Sequence, residues 1–365
     1  WHAKILAHVR GAYPYWNRSG GADHLWPFTH DEGACYAPEA LRRATLLVHW
    51  GRTQRHPNGS SEYHLWRVKP WARRMYGWQR CYDPCKDLVL PSWRRPEDLA
   101  SSPYLHPRLD TGRPNLFYFN GNLGRTTQLR NYSFGLRQQL AALYPPATYT
   151  ASDGFTVTDE RTSRYGAMLS SAKFCGVLPG WGWSGRMEDA VLHGCVPVIL
   201  QDGVHTPWES VLDWSAYALR VRRHEMGGLL DRLRAISPSE LARMQAALRR
   251  VWPRFAYLRL VVAEQARRGR RGGGGTGGGP AIAMTVAALE PLAERDAVAT
   301  LIESLRVRLL RRQARLELGA AGEAAAAAPG CALTPDRDEI ADEIGAEDGK
   351  PAPGFEGRTV NGWVI

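Results

Sequence analysis

Short apolar runs recur along the first half of the chain, and polar segments that contain Gly and Pro separate them. Runs of this length, bounded by turn-forming residues, predict β-strands. Four of them lie in the N-terminal part, at Ile5–Val9, Leu46–Trp50, Leu88–Leu90 and Leu116–Phe119. The wider spacing of apolar positions in Tyr132–Leu143 predicts a helix.

The pattern becomes clearer from about residue 150, where predicted strands and helices alternate. The predicted strands are Phe174–Leu178, Val196–Leu200 and Tyr217–Val221. The predicted helices are Arg161–Ser171, Gly185–His193, His224–Ala235 and Ser239–Val251. Such alternation is typical of parallel sheets, so the sequence predicts an α/β fold. The Pro pair after Tyr144 marks a predicted boundary between the domains 1–145 and 146–266.

Residues 267–365 follow a different pattern. Residues 267–280 are rich in Gly and Arg and can bury little apolar area, which predicts a flexible linker. Residues 281–315 carry Leu and Ile at helical spacing and predict an amphipathic helix. Residues 316–365 are rich in Ala and then in Asp and Glu, and we expect them to be a disordered acidic tail.

The net charge of +11 has to be divided along the chain before it indicates a partner. Residues 316–365 hold 10 acidic and 3 basic side chains, so residues 1–315 carry +18. Arg supplies 42 of the 47 basic side chains and is scattered, unlike the clustered patch of a nucleic-acid-binding protein. We therefore expect no nucleic-acid partner, and instead an anionic ligand such as a nucleotide diphosphate.

The chain contains no run of about 18 apolar residues, so no transmembrane helix is predicted within it. Because it starts at Trp1 rather than Met, we interpret it as a fragment, with any membrane anchor outside it. Three Asn-X-Ser sequons, at Asn17, Asn58 and Asn131, favour a secretory route.

Six Cys residues leave their pairing open. Cys81 and Cys85 flank a Pro turn and are placed to close a small disulfide loop in an oxidising compartment. Cys175 and Cys195 lie next to predicted core strands, which favours buried thiols. A zinc site would need a second ligand pair at suitable spacing, and we expect no metal site.

The segment Phe174–Leu200 carries the strongest indication of chemistry. It predicts a strand, a Gly-rich loop at Pro179–Gly185, a helix and a second strand. Arg186, in the first turn of that helix, can pair with phosphate oxygens in bidentate fashion. Asp189 lies on the same helix face, where its carboxylate can accept both hydroxyls of a ribose. The pattern indicates a nucleotide-diphosphate site, although an ordinary surface salt bridge has the same spacing.

This segment resembles the C-terminal signature of the exostosin-like glycosyltransferases, and the chain resembles a plant or algal member. In that family a Phe-Cys strand leads to a Gly/Ser loop and Arg, then to an acidic residue and Gly-Cys-Val-Pro-Val. Other segments fit the family in the expected order, at Tyr15–His24, Thr29–Gly33, Lys86–Pro91, Asn115–Gly121, Tyr132–Arg137 and Thr206–Trp214. The resemblance covers about residues 10–265, and Glu32 stands where Trp is usual.

The resemblance implies a GT-B architecture, in which two Rossmann-like domains face a cleft. It implies a UDP-sugar donor held by the C-terminal domain, a glycan acceptor held by the N-terminal domain, and inversion at the anomeric carbon. The donor is a substrate, and neither a bound cofactor nor a metal is expected. The product would be a cell-wall or matrix glycan, made in the Golgi lumen by an enzyme that assembles with itself or with a related transferase.

The resemblance also implies roles for individual residues. Arg186 would neutralise the diphosphate, Asp189 would hold the ribose, and Ser184 and Gly185 would donate hydrogen bonds to phosphate. Arg18 and Arg137 are further candidates to face the diphosphate. The base that deprotonates the acceptor is expected among Asp23, His24, His30 and Asp31, with Asp31 as first choice.

A second hypothesis is a catalytically inactive relative that binds carbohydrate or serves as a partner subunit. Glu32 and the Trp-rich segment 180–183 favour it, because both depart from the usual family pattern. The first hypothesis requires turnover of a UDP-sugar, and the second requires binding without turnover.

Overall fold

The computed structural model describes residues 1–35, 37–53, 81–99, 101–107, 112–126, 132–270, 289–318, 359–360 and 363–364. The α-helices are α1 (His2–Ala12), α2 (Tyr15–Ser19), α3 (Leu136–Leu143), α4 (Pro146–Asp153), α5 (Tyr165–Ser170), α6 (Arg186–Leu192), α7 (Leu229–Arg234), α8 (Pro238–Val251), α9 (Leu258–Arg270) and α10 (Ala297–Leu318). Short 3₁₀ helices lie at Glu39–Leu41, Pro96–Leu99, Tyr132–Gly135, Trp214–Ala216, Arg223–Gly228, Trp252–Phe255 and Glu290–Arg295.

The strands are β1 (Leu25–Phe28), β2 (Thr45–Val48), β3 (Gly51–Arg52), β4 (Leu88–Val89), β5 (Asn115–Asn120), β6 (Phe155–Thr158), β7 (Ala172–Val177), β8 (Val196–Ile199), β9 (Val204–His205), β10 (Leu219–Arg220), β11 (Thr359–Val360) and β12 (Trp363–Val364). Two sheets are parallel throughout, a three-stranded one in the order β1-β2-β4 and a five-stranded one in the order β10-β8-β7-β5-β6. They confirm the predicted α/β class. The pairs β3–β9 and β11–β12 are antiparallel.

The five-stranded sheet carries the larger hydrophobic core. All four residues of β8 are buried, as expected of a parallel strand covered on both faces. Phe117 and Phe155 stack across neighbouring strands with ring centroids 4.4 Å apart. A separate core with Trp16, Trp26 and Leu46 packs against the three-stranded sheet.

Two local predictions differ from the structure in the N-terminal part. Ile5–Val9, predicted as a strand, lies within helix α1, where only Leu6 is buried. Strand β1 escaped prediction because Pro27 interrupts its apolar residues; it lies at the edge of its sheet, where a Pro is tolerated. Strand β6, at the edge of the larger sheet, was also missed.

The predicted boundary near residue 145 does not coincide with the change from one sheet to the other. Strand β5 precedes that boundary, yet it pairs with both β6 and β7. Hydrogen-bond ladders, rather than the Pro pair, decide which sheet a strand joins, so the change falls between β4 and β5. Helix α4 begins at Pro146, the second residue of that Pro pair.

The C-terminal predictions are partly corrected. Residues 267–270 of the predicted linker form the end of helix α9, and the remainder of the linker lies outside the described residues. Helix α10 lies mostly within the predicted 281–315, but it begins only at Ala297 and runs on to Leu318, into the predicted tail. Strands β11 and β12 form a small antiparallel pair in a second compact unit, so the tail is not wholly without structure.

Both disulfides differ from the sequence-based expectation. Cys81 bonds to Cys35 rather than to Cys85, which is exposed and takes part in neither disulfide. Cys175 bonds to Cys195, with Cα atoms 5.7 Å apart, so the prediction of buried thiols was wrong. The parallel pairing of β7 with β8 explains this bond, because it brings Cys175 beside the residues that follow Cys195. In the portion of the chain described here, no helix combines the length and hydropathy needed to cross a bilayer.

Candidate functional site

A cavity of about 640 Å³ lies where the loops after β5 and β7 meet helix α6. The carboxyl ends of parallel strands meet at this edge, which is where α/β proteins place their ligands. Arg137, Ser184, Gly185, Arg186 and Asp189, all predicted from the sequence, line it.

Arg186 lies at the carboxyl end of strand β5. Its Nε donates to the backbone oxygen of Asn120 at 3.1 Å, and its guanidinium lies 5.5 Å from the centre of the Tyr165 ring. The ion pair with Asp189 is loose, with Nη1 and Oδ2 3.5 Å apart. Arg186 therefore keeps N–H groups for a further acceptor in the cavity.

Arg137 enters the cavity from helix α3 and is buried. It donates to the backbone oxygens of Asn122, at 3.1 Å, and Leu178, at 3.3 Å, and to the hydroxyl of Tyr132, at 3.3 Å. All of these acceptors are uncharged, and its buried Nε has no hydrogen-bond partner among the described residues. Burial lowers the pKa of Arg137 to about 10, which leaves it a cation at neutral pH.

Gly121 lies where the two arginines converge. A Cβ atom at this position would be 2.9 Å from Nη2 of Arg186 and 3.1 Å from Nη1 of Arg137. Two guanidinium groups this close repel each other unless an anion lies between or beside them. A diphosphate, with several negatively charged oxygens, fits this pair.

Asp189 is bound more tightly by residues other than Arg186. Its Oδ1 accepts from Nε of Arg94 at 2.8 Å, and its Oδ2 accepts from the Tyr165 hydroxyl at 3.0 Å. Burial opposes the charge of Arg94, but the carboxylates of Asp189 and Glu188 outweigh it and raise its pKa. Burial and the neighbouring carboxylate raise the pKa of Tyr165, so its hydroxyl stays a donor.

An ionised carboxylate offers about four acceptor sites, so Asp189 keeps some for ribose hydroxyls. Glu188, the neighbouring carboxylate, is fully buried and accepts from the backbone N–H of Ser92 at 2.6 Å. Glu188 does not line the cavity, so Asp189 is the carboxylate of helix α6 that is available to a ligand there.

The Gly-rich loop contacts the predicted catalytic segment through backbone atoms. The N–H of Trp183 donates to the carbonyl of Asp31 at 2.7 Å, and a Cβ on Gly182 would lie 2.4 Å from that same oxygen. Ser184 is partly exposed in the cavity, whereas the carbonyl of Gly185 accepts from Arg94. Helix α6 has only 7 residues, so we base the anion site on the arginine side chains rather than on the helix dipole.

The other predicted catalytic residues form a separate cluster. Asp23 accepts from Arg18 at 2.6 Å, contacts His24 at 2.8 Å and also accepts from Ser19. The hydrogen bonds from Ser19 and then Arg18 lower the pKa of Asp23. None of these residues lines the cavity, so Arg18 faces Asp23 here rather than a diphosphate.

His30 and Asp31 are exposed in the loop after β1. The Nδ1 of His30 accepts from the backbone N–H of Glu32 at 3.1 Å, and Glu32 itself is buried. The Asp31 backbone touches the Gly-rich loop, so of the four candidate bases it is joined most directly to the cavity wall.

Several cavity residues escaped sequence analysis. Arg94 and Ser101 reach it from segments far away in the chain, and no local pattern indicates them. His193 follows Arg186 by two helical turns, a spacing that does indicate a shared face. His49, directly after β2, lies outside the cavity lining but close to it: it donates from Nδ1 to the carbonyl of Leu90 at 3.0 Å and lies 5.9 Å from the ring of Trp183, which lines the cavity. Within the ranges that the structure describes, no group of three or more His, Cys, Asp or Glu is arranged to hold a metal ion.

Comparison with known proteins supports the resemblance. The family model described as "Exostosin GT47 domain" matches residues 2–236. "Probable glucuronoxylan glucuronosyltransferase IRX7" of Arabidopsis thaliana is 27% identical over 267 residues, which are 68% of this chain and 53% of that protein.

Two further relatives have similar coverage. "Probable beta-1,4-xylosyltransferase IRX10L" of Arabidopsis thaliana is 27% identical over 257 residues, 66% of this chain and 54% of the relative. "Probable glucuronosyltransferase 47 A" of Physcomitrium patens is 26% identical over 258 residues, 67% and 50% respectively. The chain thus spans about half the length of the curated relatives that it matches.

Proposed function

This chain belongs to the exostosin GT47 domain family, and on that premise we propose that it transfers a sugar from a UDP-sugar to a hydroxyl group of a glycan acceptor. The observation that carries the proposal is the convergence of Arg137 and Arg186 beside Gly121. The two guanidinium groups lie close together, and Arg137 has uncharged partners only. They suit a nucleoside diphosphate, which is the part of the donor that binds and also the leaving group.

The chemistry is a single displacement at the anomeric carbon. A base removes the acceptor proton, the acceptor oxygen attacks the anomeric carbon from the face opposite UDP, and the bond to the diphosphate breaks with inversion. Negative charge grows on the diphosphate as this bond breaks. Arg137 and Arg186 stabilise that charge, and because both are already held in place, little reorganisation is needed at the moment of reaction.

We assign the base to the loop after β1 and take Asp31 as first choice. Its backbone carbonyl is bound to Trp183, whose side chain lines the cavity. Asp23 is less suited, since Arg18, Ser19 and His24 already engage its carboxylate. The three-stranded sheet would then carry the acceptor, and the five-stranded sheet the donor, in a GT-B arrangement of two Rossmann-like domains that divide between β4 and β5.

The relatives' names suggest the substrate class. Because they are named as glucuronosyl- and xylosyltransferases, we propose that this chain acts in the synthesis of wall or matrix polysaccharides, with UDP-glucuronic acid or UDP-xylose as donor. That role implies the Golgi lumen, an anchor outside these residues, and assembly with a related transferase.

A donor panel tests the proposal. The chain is incubated with UDP-glucuronic acid, UDP-xylose, UDP-glucose and UDP-galactose, with and without xylan oligosaccharides, and UDP release is measured. We expect UDP release from one donor. The acceptor should stimulate this release, and Arg186→Gln should reduce it at least about tenfold. UDP release from no donor, by a folded chain that does not bind UDP, would contradict the proposal.

An inactive partner subunit is the second candidate function. The carboxylate of Asp23, one of the four candidate bases, favours this function. It already accepts hydrogen bonds from Arg18 and Ser19 and is therefore less able to take a proton from an acceptor. UDP binding without turnover, in a panel where a related transferase gains activity on addition of this chain, would support this candidate instead.

A further inference from the structure

Helix α6 and the residue that caps its C-terminal end bring three polar residues to the cavity, in order along the helix axis. Arg186, Asp189 and His193 all line the cavity and are separated by three and four residues. At a rise of about 1.5 Å per residue, the row is roughly 10 Å long. A nucleotide has the same order of parts, with the phosphates at Arg186, the ribose at Asp189 and the base near His193.

The protonation state of His193 follows from its partners. Its Nδ1 lies 2.8 Å from the carbonyl oxygen of Asp189, which can only accept, so Nδ1 carries the hydrogen. Burial lowers the pKa of His193 and keeps the ring neutral, and the weaker effects of Asp189, Arg113 and Asp98 do not reverse this direction. Its Nε2 is therefore an acceptor.

Ser101 is the partner of that acceptor. Its hydroxyl oxygen lies 3.0 Å from Nε2 of His193, so the hydroxyl must donate its one hydrogen to the ring. Only lone pairs then remain for a molecule in the cavity. The Ser101 backbone is fixed as well, because the Ser170 hydroxyl donates to its carbonyl at 2.9 Å.

Gly166 provides the space for this pair. A Cβ at Gly166 would lie 1.8 Å from the Ser101 hydroxyl oxygen and 2.9 Å from Nε2 of His193. Any side chain at this position would displace the serine hydroxyl. Ser101 and His193, in the space that Gly166 leaves, therefore form one polar site. This site lies at the opposite end of α6 from Arg186.

We propose that Ser101, with its hydroxyl oriented by His193, reads the nucleobase of the donor and selects uracil by accepting a hydrogen bond from the ring N3–H. The inference rests on the proposed function and adds the group that determines nucleotide specificity. Cytosine has a lone pair at N3 instead of a hydrogen, and this lone pair would be repelled by the lone pairs of the Ser101 hydroxyl oxygen. Guanine also carries a ring N–H, so CDP is the most discriminating comparison with UDP.

Titration calorimetry of UDP and CDP tests the proposal in the wild-type chain, in Ser101→Ala and in Ser163→Ala. Ser163 is the matched control, since it lines the same cavity but is not the partner of His193. We expect the wild type to prefer UDP by roughly 10- to 100-fold, the effect of one unpaired buried polar group. Ser101→Ala should remove most of that preference by weakening UDP, and Ser163→Ala should keep it.

A second variant guards against a structural effect of the first. His193→Ala leaves the Ser101 hydroxyl able to rotate and donate, so CDP affinity should rise relative to UDP. If the ratio of UDP affinity to CDP affinity is unchanged in both Ser101→Ala and His193→Ala, the inference is overturned. The proposed function stays intact in that case if UDP binding still depends on Arg186. Absence of binding of either nucleotide to the folded wild type overturns both.

Discussion

The two parallel sheets differ in how firmly they hold the residues assigned to function. Beside the five-stranded sheet, Arg137 is buried and Asp189 is bound by both Arg94 and Tyr165. Beside the three-stranded sheet, the side chain of Arg18 is 67% exposed, and Asp31 is exposed as well. The side that we assign to the donor is thus held by internal hydrogen bonds and ion pairs, whereas the side that we assign to the acceptor is open to solvent.

The difference fits the two substrates that we assign to these sides. A nucleotide is the same in every turnover, so a rigid set of buried cations and acceptors can be matched to it. A glycan acceptor is large and binds on an open surface. For the side chains assigned to substrate binding, we therefore expect substitutions on the donor side to cost stability as well as binding, and substitutions of exposed side chains on the acceptor side to spare stability.

The disulfides give the largest expected effects on stability. Removing Cys35–Cys81 with a double Ser substitution releases a loop of 46 residues and should cost about 4 kcal/mol, while removing Cys175–Cys195 releases 20 residues and should cost about 3 kcal/mol. Chemical denaturation checks both values. A smaller cost for Cys35–Cys81 than for Cys175–Cys195 would show that the donor side, not loop length, dominates the stability of the chain.

Asp189→Ala should lower the free energy of unfolding by about 2 kcal/mol, because it removes the charge-assisted hydrogen bond that the partly buried Arg94 makes to this carboxylate. Asp23→Ala is the matched change on the acceptor side and should hardly move the unfolding midpoint, since its partner Arg18 is exposed. Denaturation curves of the two variants sharpen the comparison. Equal losses would contradict the contrast between the two sides.

The pH dependence of stability should be the smallest effect. Burial lowers the pKa of His193 below its ordinary value of 6.5, so the unfolded chain takes up a proton first as pH falls. Its contribution to stability is fully present well above pH 6.5 and is lost progressively as pH falls below that value. His193→Gln should flatten this part of the stability curve; a variant that follows the wild type at every pH would refute the assignment of a neutral, buried His193.

Sequence patterns predicted four of the five strands of the larger sheet and two of the three strands of the smaller one, and they missed one edge strand of each. Val196–Ile199 is an uninterrupted apolar strand buried on both faces, and such a run is visible without any partner. Leu25–Phe28 alternates between exposed and buried residues and contains a Pro, so its strand identity depends on pairing with β2. Helix α1 was mistaken for a strand because few of its residues are buried.

The same reasoning applies to the site. Arg186 and Asp189 are close in sequence and share a helix face, so spacing alone brings them together. Arg94 lies 95 residues before Asp189, and Ser101 lies 92 residues before His193. Contacts of that separation are created by the packing of whole elements, which no local periodicity encodes.

Titration of UDP into the wild type, Arg137→Gln, Arg186→Gln and Arg18→Gln measures whether Arg137 and Arg186 bind the diphosphate. Each of the first two variants loses a charge-assisted contact of about 1.5–3 kcal/mol and should bind UDP at least about tenfold more weakly. Arg18→Gln, which changes an exposed arginine outside the cavity, should bind UDP like the wild type. Unchanged UDP affinity in folded Arg137→Gln and Arg186→Gln would show that these two arginines do not bind the diphosphate.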